Sequence, residues 1–110
     1  MANTFTRKLQ RGVGTTLTSV GSYTVPASTQ VAAVGLSLAN ITTAAITVDV
    51  TLNDGTNDTY LLKDGPIPAG GTLVAIGGEQ KVVLNTGDTI KVKSNTASSC
   101  DVILSLLELT

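Results

Sequence analysis

Histidine and tryptophan are absent from this 110-residue sequence, and cysteine occurs once. Without histidine the commonest general base and the commonest metal ligand are missing. One cysteine and no histidine leave no donor set for zinc, and a serine nucleophile has no imidazole to activate it. Neither a nucleophile-elbow motif nor a phosphate-cradling glycine-rich loop occurs. Aromatic residues number three, Phe5, Tyr23 and Tyr60, too few to wall a sugar cleft around paired carboxylates. These gaps predict a non-enzymatic protein with no catalytic residues, no cofactor and no metal.

Cys100 has no second cysteine to pair with, and Val102 and Leu104 follow it at two-residue spacing. That spacing predicts a buried strand position where the thiol acts as a small hydrophobe. Charged residues make up 14% of the chain and the formal net charge is −1, which argues against a domain-wide nucleic-acid binder. No apolar run approaches the length of a membrane span. The opening "MANTFTRKLQRG" lacks the apolar centre of a signal peptide, so synthesis in the cytosol is expected. In that compartment the Asn40-Ile41-Thr42 and Asn57-Asp58-Thr59 matches to the glycosylation pattern are chance.

What the chain does contain is alternation of period two, broken by turn residues. Ile46, Val48, Val50 and Leu52 alternate with Thr47, Asp49 and Thr51, the pattern of a half-buried strand. The stretch before it sets Val34, Leu36 and Leu38 on one face and Ala33, Gly35 and Ser37 on the other. Further strands are expected at 15–25, 58–63, 72–76, 80–84, 88–94 and 100–109. Val25-Pro26 must leave a central ladder, Asp54-Gly55 marks a hairpin, and "DGPIPAGG" at 64–71 reads as irregular. About eight short strands predict an all-β, antiparallel β-sandwich of jelly-roll type over residues 15–110. In the hairpin loop, Asp54, Thr56 and Asp58 resemble the opening of a calcium loop, but Thr59 and Gly65 stand where a helical one needs glycine and an acid. A plain turn is expected there.

Residues 1–14 show no periodicity and read as an extended N-terminal arm. The basic charge is concentrated in it: residues 1–48 hold Arg7, Lys8 and Arg11 and no acid, whereas residues 49–110 hold four lysines against eight acids. Such an arm is either a solvated terminus or a docking element on an acidic partner. Its candidate partner-binding residues are Phe5, Arg7, Lys8, Leu9 and Arg11, with Phe5 and Leu9 anchoring on a neighbour or folding back on the parent domain. The last strand is apolar on both sides: Val102, Leu104 and Leu106 on one, Ile103, Leu107 and Leu109 on the other. Either it lies between two packed layers, or Ile103, Leu107 and Leu109 form a self-association strand.

The strings "YTVPA", "VAAVGLSLAN", "ITVDVTL", "YLLKDGPIPAGGTL", "KVVLNTGDTIKVKS" and "DVILSLLELT" together span about residues 20–110. They resemble small β-sandwich structural proteins of tailed bacteriophages, particularly marine and cyanobacterial ones. The resemblance implies a virion protein, foremost a capsid decoration (cement) protein on the capsid surface, bound to the major capsid protein or other virion proteins. A neck, tail or fibre-anchoring part of the virion is the alternative it implies. A homo-oligomer, dimer or trimer, is expected, and neither nucleic acid nor membrane as partner. A glycan-binding sandwich for host attachment is a third reading, resting on Tyr23 and Tyr60.

Overall fold

The computed structural model describes residues 3–77 and 80–110; Met1 and Ala2 of the expected arm lie outside them. Among the described residues there are nine strands: β1 (Asn3–Val13), β2 (Thr18–Ser19), β3 (Gln30–Asn40), β4 (Ile46–Asn53), β5 (Asp58–Ile67), β6 (Thr72–Ile76), β7 (Val82–Leu84), β8 (Thr89–Ser94) and β9 (Cys100–Leu109). All the ladders are antiparallel. One sheet runs β1-β9-β3-β6, and the other β2-β8-β4-β5. β7 pairs with Val31–Ala33 of β3, and β6 with Leu36–Ala39. The two therefore share one edge of β3 end to end. The chain passes back and forth between the sheets, and its first and last strands end as neighbours, the winding of a jelly roll.

The alternating residues close the core. Val31, Ala33, Leu36, Leu38, Val102, Leu104 and Leu106 from the first sheet meet Ile46, Val48, Val50, Ile90 and Val92 from the second, all buried. Branched aliphatics dominate because sheets packed face to face interlock such side chains without needing large rings. Cys100 is buried among them. Burial, helped by the charge of neighbouring Asp101, pushes its thiol up to about 11. Iodoacetamide at pH 8 should therefore label Cys100 only at the rate of global opening, and denaturant should restore ordinary thiol reactivity. Rapid labelling of the native protein would contradict this placement.

Four details depart from the sequence reading. Residues 3–13 are not an extended arm but the strand β1, paired along β9 from Asn3 opposite Leu109 to Gln10 opposite Val102. Its alternation is masked because the inward side is polar. The Lys8 ammonium sits 5.2 Å from the Tyr23 ring centre, and Gln10 Oε1 accepts the Gly21 N–H at 3.1 Å. Second, the expected strand at 15–25 shrinks to β2 followed by a 3-10 turn at Val20–Ser22. Gly21 there has φ +61° and a Cβ on it would lie 2.8 Å from that of Lys8, so the chain curls over β1 instead of extending.

Third, the pattern in β3 changes phase. A register shift between Ala33 and Gly35 inserts one residue. Ala33 therefore joins Leu36 and Leu38 on the buried side, contrary to simple alternation. Fourth, β5 continues through Asp64-Gly65-Pro66 to Ile67, where irregular chain was expected. It is an edge strand, so the missing N–H of Pro66 need not break a ladder on both sides. Its register slips between Val48 and Val50 of β4, and the extra residues Lys63 and Asp64 bulge outward there.

Candidate functional site

The outer surfaces of the two sheets differ in kind. On the β2-β8-β4-β5 sheet the outward residues are polar, and the bulge in β5 folds over them. Asp49 is buried on that side, accepting the Asp64 N–H at 2.7 Å. The Lys63 and Lys93 ammonium groups lie 3.4 and 3.6 Å from its Oδ2. These groups line a polar cleft of about 230 Å³ together with Thr15, Thr47, Ser94 and Asn95. Burial alone would raise the Asp49 carboxyl, but the Asp64 N–H and the two lysines outweigh it and hold the group below the usual carboxylate range.

Each charge in this cleft is matched, so its first role is to clamp the β5 bulge. The linkage sign follows from the depressed pKa. Asp49 adds stability above the unfolded carboxyl value of roughly 4 and loses it as pH falls through the lower folded value. Asp49→Asn keeps an acceptor for Asp64 and should cost about 1 kcal/mol at pH 7. Urea midpoints of the two proteins should draw together as pH falls through the lowered folded value of Asp49; a gap that stays constant with pH would remove the ionic contribution.

The hairpin after β4 is a turn, as its sequence suggested. Asp54 Oδ1 accepts the Thr56 and Asn57 N–H groups at 3.0 and 2.8 Å. Asp58 Oδ1 takes the Thr51 hydroxyl and the Asn53 amide at 3.2 and 2.8 Å. Among the described residues no cluster of three metal-ligating side chains occurs. The two tyrosines of the glycan reading are not brought together as a platform. Tyr23 is buried and its hydroxyl donates to Glu108 Oε2 at 2.7 Å; burial first, then that bond and the carboxylate's charge, push its pKa up. Tyr60 is exposed on β5 of the opposite sheet.

The outer face of the β1-β9-β3-β6 sheet is different. Cross-strand register places Phe5, Leu107, Ala32 and Val83 in one row across β1, β9, β3 and β7. Leu9, Ile103, Ser37 and Val74 form a second row across β1, β9, β3 and β6. The rows are four residues apart along β1, about 13 Å, and Arg7, Ser105 and Gly35 lie between them. Exposure of the large members is high: Phe5 77%, Val83 69%, Val74 65%, Ile103 49% and Leu9 41%. Leu109 closes one end opposite Asn3 and Gln30, and exposed Arg11 follows Leu9 near the other.

Two groups singled out separately in the sequence thus share one face. Phe5, Arg7, Leu9 and Arg11 of β1 stand beside Ile103, Leu107 and Leu109 of β9. Lys8, grouped with them by sequence, points the other way onto Tyr23. Phe5 and Leu9 neither reach out on an arm nor pack into the domain. β9 is central within its sheet, yet among the described residues no second layer covers its outer side, and Ile103 remains half exposed. Val74 and Val83 complete the rows and were missed, because short strands with an apolar residue on each side look fully buried in sequence. No family model and no curated protein matches this chain.

Proposed function

We propose that this chain is a non-enzymatic structural subunit of a tailed-bacteriophage particle, a capsid decoration protein that docks over joints between major capsid subunits. The observation that carries the docking role is the outer face of the β1-β9-β3-β6 sheet, where five large apolar side chains stand in two registered rows. Several large apolar side chains left open on one sheet face support an interaction site rather than a solvated wall. A repeated interface, modest in each copy, strengthens a shell through multivalency. The particle itself is named by the sequence resemblance across residues 20–110.

The test uses point changes, because removing residues 3–11 would strip the edge of β9 as well as the docking groups. Ile103→Asp places a charge in the middle of the face while leaving Leu104 in the core. The variant should fold with a thermal midpoint near that of the wild type and be missing from purified particles by quantitative mass spectrometry. Full occupancy by Ile103→Asp would refute docking through this face. In the same measurement, wild-type copy number following the capsid lattice identifies decoration, whereas a number set by the tail axis moves the protein to the neck, tail or fibre.

A further inference from the structure

We propose that Arg7 and Arg11 reserve this face for a partner protein that brings carboxylates within an apolar surface, and bar a second copy of the chain from it. The inference rests on the docking role assigned above and adds the chemistry of the partner. Both guanidinium-bearing residues are exposed on β1, alternating with Phe5 and Leu9. Among the described residues neither forms an ion pair; the pairs present join Lys63 and Lys93 to Asp49, and Lys63 to Asp64. The face's own acid, Asp101, already accepts the Gly12 N–H at 2.9 Å.

Covering this face therefore takes two guanidinium groups out of water, which is costly unless carboxylates meet them. Among the described residues of this face a second copy brings one acid, Asp101, already engaged by Gly12, together with two more arginines. A two-fold axis parallel to the strands lays β1 over the partner copy's β6 and β7, whose residues Thr72–Ile76 and Val82–Leu84 contain no acid. An axis across the strands lays β1 over β1 and sets arginine near arginine. Like charges so placed are a known device against self-pairing of sheets. A partner with acids spaced to match can instead take each arginine as a bidentate pair. Phe5, the most exposed large apolar side chain among the described residues, supplies the aromatic anchor beside Arg7. A single aromatic among Val, Ile and Leu offers little for stacking bases, which favours protein over nucleic acid.

Sedimentation tests the exclusion of self. The wild type should remain monomeric, and Arg7→Leu with Arg11→Leu should raise self-association tenfold or more, with Ile103→Asp added to that pair returning it to monomer. A wild-type dimer broken by Ile103→Asp, or a double variant that stays monomeric, overturns the proposal. A displayed random-peptide library selected on the wild type tests the partner chemistry. Enriched peptides should carry Asp or Glu among apolar residues, bind less tightly as salt rises, and lose binding to Arg7→Glu with Arg11→Glu. No enrichment, peptides without excess acid, or an oligo-dT probe bound through the same arginines would each count against it. Particle occupancy separates the two claims: loss with Ile103→Asp but not with Arg7→Glu and Arg11→Glu retains the docking face and refutes its acidic partner.

Discussion

Leu104→Ala should lower the unfolding free energy by about 2–5 kcal/mol, the cost of an aliphatic core truncation whose cavity refills only in part. Leu104 is buried on β9, directly between Lys8 of β1 and Leu36 of β3. Its strand is bonded to both the first strand and β3, so slack there is felt on two ladders. In a domain of this size the loss should drop the thermal midpoint by roughly 10 °C or more. Ile103→Ala, one residue away, removes a similar volume from the open face and should shift stability by less than about 1 kcal/mol. Equal losses at the two positions, measured by urea unfolding, would mean that the outer face is not open as described.

Asn40→Asp should be the other severe change, despite preserving shape. Asn40 is buried at the end of β3, and its Nδ2 donates to the carbonyls of Ala44, Ile67 and Pro68 at 2.8, 3.1 and 3.2 Å. Its Oδ1 accepts the Thr42 N–H and hydroxyl at 2.9 and 2.7 Å. One amide thus ties the β3–β4 turn to the end of β5. A carboxylate would aim a charged oxygen at those carbonyls, and the expected loss at pH 7 is about 2–4 kcal/mol. Protonation restores one donor, so the introduced carboxyl has a raised folded pKa. Its penalty is therefore smallest below the unfolded value of roughly 4 and grows as pH rises through the folded value. Urea midpoints against wild type at pH 3 and pH 7 check the sign; a penalty larger in acid would contradict it. The same burial removes Asn40 from any role as a glycosylation acceptor in the folded chain.

Much of the architecture was legible because half-buried strands repeat every two residues. Ile46, Val48 and Val50 entered the core as their spacing required, and Cys100 followed Val102 and Leu104 inside. β1 was illegible for the opposite reason. Its inward residues Thr6, Lys8 and Gln10 are polar, and Lys8 and Gln10 meet Tyr23 and Gly21, which lie more than ten residues along the chain. Backbone pairing with β9 leaves no trace in side-chain pattern, since ladder hydrogen bonds ask nothing of residue type. The phase change at Ala33 was hidden likewise, because a bulge is set by how the strand must bend over its core.

Residue types by themselves determined that no site here is built on histidine, and they determined the sandwich class and the inward rows of most strands. Whether Phe5 and Leu9 were an arm or a strand, and whether Ile103 and Leu107 faced a second layer or open space, depended on which strands became neighbours. That is a property of long-range pairing. Only the tertiary structure joined the two sets into one face that carries Arg7 between its apolar rows and Arg11 beyond them, because Phe5 meets Leu107 and Leu9 meets Ile103 across nearly the whole length of the chain.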